Sequence, residues 1–456
     1  KVGRTALAAE MALSHSGALA GTDNSYSAVF DRYGVQRIED MDQLATTLIM
    51  FAQPQATAAG GIACLHDSGG ERQLMIDLAD QYAVRLAQLD AQTLISLEQL
   101  LDPGLPAVNP LDGWGGGGAD APANMAACFT ALLEDADTAL GAVVHDRGPN
   151  SEVYPSYMAY LHQAQGATGK PVFLVANRQG SGSDNLAITS TGDGFPVIDG
   201  VSQFLVGARC LLNYRDFQQR PAQDLPVMDA DKIAYWRQRL QSQQQVSEVQ
   251  ASKFLADFEV PMVLGAEVAT ERQLVEAADR LSYPLVLKTA RPGIAHKSDQ
   301  AGVILNIASQ TELLEAYRDL SQRLGSAAML APMSEPAGVE MILGISTDKQ
   351  FGPVVVLGFG GLYAEMLRDT TVLLPPFDSA AATEAIGRLR MSPMLAGLRG
   401  SPAMDIPAYA EAAARLSVLA VEFADLIAEI DINPVKLMAN GCLGLDALIL
   451  PHQPDT

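Results

Sequence analysis

Between Gly60 and about Leu212, short apolar runs alternate with amphipathic stretches of helical length, and this alternation restricts the fold more than any other feature of the chain. "GIACL" is followed by "ERQLMIDLADQYAVRLAQL", and "GAVVH", "YPSYMAYLHQA" and "KPVFLVAN" come after it. Strands separated by helices need crossover connections, which give βαβ units and a parallel sheet. From Ser247 the rhythm changes. Helices are expected over "SEVQASKFLADF" and "TERQLVEAADRL", strands over "PLVLKTA", "VILNI", "VEMILGIS" and "GPVVVLGFGG", and a helix over "AAARLSVLAVEFAD". The chain closes on "AEIDINPVKLMANGCLGLDALIL", a hairpin turning at "ANG". Between the two parts, Arg215 to Gln245 is rich in Gln, Asp and Arg with scattered prolines, which predicts an interdomain linker carrying an exposed helix. At 456 residues the chain exceeds the roughly 250 to 300 that one core supports, so two or three domains are expected.

Composition excludes several classes of function. A formal charge of -23 argues against a broad surface for nucleic acid or anionic lipid, since phosphate backbones need the opposite sign. No apolar run approaches the roughly 20 residues that span a bilayer. Cys64, Cys128, Cys210 and Cys442 are far apart in apolar surroundings, as reduced core thiols would be, and a cytoplasmic location is expected. Lys1 does not open a signal peptide, and a truncated or processed product is the expectation.

Three features carry chemistry. In the closing hairpin, Asp446 follows Asn433 by 13 residues, so the two fall on adjacent antiparallel strands, where they can share a hard cation such as Mg²⁺. Lys288 ends the apolar strand "PLVLK" and needs an anionic partner, for which a nucleotide phosphate is suited. Glu340 is likewise an acid within the apolar strand "GVEMILG". No GxxxxGK[ST] loop occurs, so a Walker-type nucleotide site is not an alternative.

The order of these segments, "PLVLK", "HKSD", "GVEMILG", "FGPVVVLGFGGLYAEML" and "EIDINP", resembles the ATP-grasp unit of the NDP-forming (ADP-forming) acyl-CoA synthetases, the superfamily of succinyl-CoA synthetase. The resemblance covers Ser247 to Leu450. It implies that Lys288 binds ATP phosphates, that Glu340 contacts the nucleotide, and that Asn433 and Asp446 hold Mg²⁺. Relatives carry Gln-Glu near the adenine hinge, where this chain has Ala331 and Pro332, so adenine is expected to be held by backbone groups.

The same superfamily accounts for "SHSGALAG" near the start, which resembles its phosphohistidine loop and puts His15 at the phosphorylated position. His296, in "AHKSD" with Lys297 and Ser298 beside it, matches a loop read either as a second phosphoryl carrier or as a plain ATP contact. Ser68, Gly69 and Gly70 turn the chain into a helix whose first amides form an anion site, the counterpart of helix ends that flank the phosphohistidine in succinyl-CoA synthetase. His66 borders that turn, His145 and His162 are expected to be structural, and His452 a tail residue. "NPLDGWGGGGAD" matches the loop near the acyl substrate at Asn109 and Asp112. Its Trp114 would stack on an aromatic acid, hold a cationic onium group by cation–π attraction of about 0.5 to 2 kcal/mol, or fill an apolar gap.

The resemblance thus implies an α/β chain of flavodoxin-like parallel-sheet domains followed by an ATP-grasp domain. The expected bounds are 1–55 for the remnant of a first domain, 56–215 for a second, 216–245 for a linker and 246–456 for ATP-grasp, with a CoA-binding domain of relatives falling before residue 1. It implies an ADP-forming carboxylate–CoA ligase using ATP, Mg²⁺ and coenzyme A, in a homo-oligomer without nucleic-acid or membrane partners. Dimethylsulfoniopropionate is the candidate acid, beside hydroxycinnamates of the feruloyl type and acetate or propionate. Two other classes stay open: a CoA-responsive regulator or acetyltransferase scaffold without ligase chemistry, and a stand-alone ATP-grasp carboxylate–amine ligase.

Overall fold

The computed structural model describes residues 5, 23–53, 55–116, 118–146, 155–179, 185–242, 245–291, 300–334, 337–361, 369–397, 400 and 402–452. Two compact units emerge: Gly34–Pro221, and Lys1–Tyr33 together with Ala222–Thr456. In chain order the first helix is α1 (Asp23–Tyr33). It belongs to the second unit, where Tyr26 meets Phe351 edge-on at 4.9 Å and Asp31 pairs with Arg388 at 3.0 Å.

The Gly34–Pro221 unit contains α2 (Met41–Phe51), β1 (Gly61–His66), α3 (Gly69–Gln81), α4 (Ala91–Leu100), β2 (Leu111–Asp112), α5 (Ala121–Glu134) and β3 (Thr138–His145). It continues with α6 (Pro155–Thr168), β4 (Val172–Ala176), α7 (Asn185–Gly192), β5 (Val197–Asp199) and α8 (Val201–Gln218). The five strands form one parallel sheet in the order β2-β1-β3-β4-β5. Every residue of β1, β3 and β4 is buried, which is why these strands are continuous apolar runs: helices cover both faces of the sheet. Successive side chains alternate between two cores. Ala63 and Leu65 pack with Phe129 of α5 and Leu161 of α6, while Ile62 and Cys64 pack with Met75 of α3 and Phe204 of α8. Helix α2 lies so close to α8 that a Cβ on Gly207 would come within 2.3 Å of the Met50 sulfur. All four cysteines are buried free thiols, and burial pushes Cys64 up to about 12 and Cys128 to about 11.

The second unit adds α9 (Ala230–Gln241), α10 (Glu248–Asp257), β6 (Ala266–Val268), α11 (Glu271–Ala278), β7 (Leu285–Thr289), β8 (Val303–Ile307), α12 (Gln310–Leu324) and β9 (Ala328–Pro332). Then come β10 (Val339–Asp348), β11 (Gly352–Phe359), β12 (Thr370–Leu373), α13 (Ser379–Gly387), α14 (Ile406–Glu422), β13 (Ile427–Leu437), β14 (Cys442–Gly444) and β15 (Ala447–Pro451). One four-stranded sheet, β6-β9-β7-β8, is backed by α11 and α12 through Leu274, Leu313 and Leu320. A larger antiparallel sheet runs β12-β11-β10-β13-β14 with β15 also on β13, and packs on α10 and α14 through Phe254, Tyr409 and Phe423. Helix starts follow the expected chemistry. Ser247 and Gln250 form a capping box on α10, and Asp40, Asp90, Thr270 and Ser309 each accept a first-turn amide.

The segment expected to be an exposed linker helix is instead packed. Trp236 is 2% exposed and Leu240 5%; the indole donates to Asp257 Oδ2 at 3.0 Å, and Arg237 bonds the Asp425 carboxylate. The polar composition had hidden two apolar residues four apart, enough to seat one helix face in a core.

Candidate functional site

In β7, strand alternation sends Leu285 and Leu287 into the core beneath the small sheet and Lys288 to the opposite face. There its ammonium donates to Glu248 Oε1 at 2.8 Å and to the Leu445 carbonyl at 2.7 Å, with Asp446 Oδ2 at 3.8 Å. The Lys288 and Glu248 side chains are 11% and 8% exposed and that of Asp446 32%, so a buried pair abuts a solvent-accessible carboxylate. Because Ile432 pairs with Ala447 and Val435 with Gly444, Asn433 and Pro434 lie opposite Leu445 and Asp446. Leu445 N–H to Pro434 O at 2.9 Å closes that gap. Lys288, Asn433 and Asp446, 158 positions apart at the extremes (446 − 288), therefore converge.

Glu340 lies further along the large sheet, opposite Lys436. Its carboxylate rests against the glycine-rich turn: a Cβ on Gly361 would sit 2.3 Å from Glu340 Oε2, and Gly361 has φ +73. Only glycine meets both demands.

A second constellation forms in the Gly34–Pro221 unit at the carboxyl edge of its sheet. The order β2-β1-β3 makes the β1/β3 border the point where the winding direction reverses, the usual ligand crevice of an open α/β sheet. Strand β1 delivers His66 and Asp67 there, and β3 delivers His145 and Asp146. Helix α3 starts beside them, and the Ser68 side chain makes no capping bond, so it does not occupy the first-turn amides. Asp112 is adjacent, its Oδ2 only 3.2 Å from where a Gly69 Cβ would be. Tyr157 donates to Asp67 at 2.5 Å. Burial raises the Glu71 carboxyl pKa; the Asn177 side chain opposes this by hydrogen bonding, and the charges of Asp67, Asp146 and Asp112 add to the rise. His66 is 1% exposed with no hydrogen-bond partner on either ring nitrogen, and burial, with Arg72 contributing, lowers its pKa to about 4. It is a neutral imidazole at neutral pH.

In the substrate loop, Asn109 spends its amide on the main chain: Oδ1 accepts from Cys64 N at 3.0 Å, and Nδ2 donates to Ile62 O at 2.9 Å and Ala87 O at 3.0 Å. It clamps the loop to β1. Trp114 is 46% exposed, with its main-chain N–H donating to Asp112 Oδ1 at 3.2 Å, and the Gly116 main-chain N–H donates to Asp102 Oδ2. His15, His296, Lys297 and Ser298 lie outside the described residues. His452, expected as a tail residue, is tied by its N–H to Leu426 O and by Nε2 to Ala424 O.

Sequence reasoning missed Glu248, Asp67, Glu71 and Asp146. Glu248 has the signature of a first-turn helix acid and nothing more. The crevice acids had a signal: both β1 and β3 end in a histidine that an aspartate follows.

Residues 238–450 match an ATP-grasp domain model, and residues 1–51 a succinyl-CoA ligase-like flavodoxin domain. The beta subunit of an ADP-forming acetate–CoA ligase I from Pyrococcus furiosus is 32% identical over 213 residues, covering 44% of this chain and 90% of that subunit. The chain belongs to the ADP-forming acyl-CoA ligase family. A trans-feruloyl-CoA synthase from an unknown prokaryotic organism is 28% identical over 466 residues, covering 98% of the chain and 64% of the relative. The chain thus spans just under two thirds of the length of that ligase. A solved acetyl-coenzyme A synthetase of Ca. Korarchaeum cryptofilum, in complex with coenzyme A and a nucleotide analogue, is 29% identical, with a TM-score of 0.45 over 49% of this chain and all of that one. Among the described residues, no helix is long and apolar enough to cross a membrane.

Proposed function

We propose that this member of the family carries the ATP-binding and phosphoryl-carrying parts of an ADP-forming carboxylate–CoA ligase. The observation that carries the proposal is the convergence of Lys288, Asn433 and Asp446, with the Lys288 ammonium 3.8 Å from Asp446. Among the described residues no group of three or more His, Cys, Asp and Glu is arranged to hold a metal ion. Asn433 and Asp446 are instead a pair of hard oxygen donors, which suits Mg²⁺, an ion usually bound by one or two carboxylates together with substrate phosphates. Bound there, it would neutralise charge on the ATP phosphates. Lys288 would hold the same phosphates, with Glu340 contacting the nucleotide beside Gly361.

In the proposed reaction a neutral His15 nitrogen attacks the γ-phosphorus of ATP and the bond to ADP breaks, directly or by way of His296. A substrate carboxylate oxygen then takes the phosphoryl group as the P–N bond breaks. The CoA thiol attacks the acyl phosphate and releases phosphate. Uncapped amides at Ser68, Gly69 and Gly70 suit the anionic intermediates.

For the acid we favour a small carboxylate with a cationic head, of which dimethylsulfoniopropionate is the candidate. Asp67, Glu71, Asp112 and Asp146 concentrate negative charge at the crevice, and the exposed Trp114 beside Asp112 offers a π face. Names of relatives support the alternatives of feruloyl and acetyl substrates. A homo-oligomer and the domain bounds 1–55, 56–215 and 246–456 belong to the same proposal. Incubation with [γ-³²P]ATP tests the core of it: acid-labile label on the protein should vanish when His15→Ala is combined with His296→Ala, and label that persists there would sink the proposal. An ADP-release assay with CoA and a panel of carboxylates should rank cationic acids above feruloyl and acetyl ones.

A further inference from the structure

Two carboxylates face one ammonium at the nucleotide site, and the distances rank them. Glu248 is at 2.8 Å from Lys288 Nζ and Asp446 at 3.8 Å. The nearer pair is the buried one, and buried ion pairs are held hard because neither member can be solvated if the other leaves. Glu248 is fixed from its own side: it is the first residue of α10, directly after the Ser247 cap, so its place is set by helix geometry. Leu445 O accepts a second ammonium proton and ties Lys288 to the residue preceding Asp446.

Resting on the functional proposal above, we propose that Glu248 is a positioning residue that neutralises Lys288 and holds it back from Asp446, so that a hard cation approaching Asp446 and Asn433 does not meet an uncompensated ammonium. A second cation a few ångströms from a bare ammonium is repelled strongly where water is scarce. With Glu248 in place, the same position presents a neutral pair. Without it, Lys288 has the Asp446 carboxylate as its nearest anion and competes with the cation for it. Lys288 thus stays within reach of nucleotide phosphate while the metal position keeps its negative charge.

The test is calorimetric titration of ADP into the chain, at a series of Mg²⁺ concentrations and with no divalent metal. Glu248→Gln is expected to raise the Mg²⁺ concentration giving half-maximal tightening at least tenfold, while metal-free ADP affinity stays equal or rises. Glu248→Asp should recover part of the shift. Because Gln takes the nearer counter-charge from the buried Lys288 and can destabilise the fold, Glu248→Gln combined with Lys288→Met provides a second route. Both charges are then gone, and the Mg²⁺ midpoint should return to within about threefold of the unaltered chain even though overall affinity falls. A midpoint unchanged within twofold in Glu248→Gln, equal losses with and without Mg²⁺, or a double variant no better than the single one would overturn the role of Glu248. Failure of the unaltered chain to bind ADP at any Mg²⁺ concentration would overturn the functional proposal itself.

Discussion

Replacing His66 by Gln should remove a measurable part of the pH dependence of stability of the Gly34–Pro221 unit. His66 is 1% exposed, its ring nitrogens lack hydrogen-bond partners, and its pKa falls from 6.5 to about 4, chiefly through burial and secondarily through Arg72. The folded state therefore binds this proton less tightly than the unfolded one. Stability from the neutral ring is complete above pH 6.5 and is lost as pH falls toward 4, where the loss levels off. Between pH 7.5 and 5.0 the unfolded histidine gains nearly a full proton and the folded one almost none. Integrating roughly 1.5 pH units at about 1.4 kcal/mol each gives about 2 kcal/mol. Gln has no titration in this range, so carboxylates common to both proteins cancel in the difference. Amide hydrogen exchange of peptides covering β1 and β3, corrected for intrinsic rates, gives the opening free energy at each pH. The unaltered chain should lose about 2 kcal/mol more than His66→Gln on going from pH 7.5 to 5.0. Parallel pH profiles for the two proteins would refute the assignment of a neutral, desolvated imidazole.

Lys288→Met should take from the Glu248 carboxylate, whose side chain is 8% exposed, the ammonium 2.8 Å away, and cost about 3 to 5 kcal/mol by urea denaturation; adding Glu248→Gln should recover part of that loss, and equal stabilities of single and double variants would contradict a buried pair. Trp236→Ala should cost about 3 to 5 kcal/mol, whereas a residue on an exposed linker helix would cost under about 0.5 kcal/mol; the same denaturation assay decides between them.

How far the fold could be read in advance varied with how locally each element is specified. The parallel sheet was legible because burial on both faces forces β1, β3 and β4 to be unbroken apolar runs. The closing hairpin was legible for a similar reason, since its turn at Gly441, with φ +83, follows from "ANG". The packing of α9 was not, because Trp236 and Leu240 are two apolar residues in a polar stretch and their core is built by Phe254 and Phe423 from elsewhere in the chain. Asn109 shows a different limit. A polar residue in a loop matched to substrate binding has its amide bonded to main-chain groups around β1, a role its sequence context does not signal.

The two constellations differ in the same respect. Each of Lys288, Asn433 and Asp446 was conspicuous alone, as a charge ending an apolar strand or a polar pair on a hairpin; the register that brings Ile432 to Ala447 sets Asn433 opposite Asp446, and Lys288, from the other sheet, joins them through its bond to Leu445 O. The crevice needed the strand order. The dipeptides His66-Asp67 and His145-Asp146 stand 79 positions apart (145 − 66), and nothing local makes them neighbours. It is β1 and β3 pairing in parallel, with β2 on the outer side of β1, that sets their ends side by side. Once the order is known the repetition gains meaning. Each strand runs apolar to its last turn, then places a histidine and a carboxylate where the sheet stops shielding them. Burial does most to raise the Glu71 pKa, and the charges of Asp67, Asp146 and Asp112 add repulsion to it. Such repulsion persists in a folded protein only when other interactions outweigh it, and a bound cationic group would relieve it. For the proposed ligase the crevice is therefore a better guide to the acid than Trp114 alone, whose ring would accept an aromatic acid equally well.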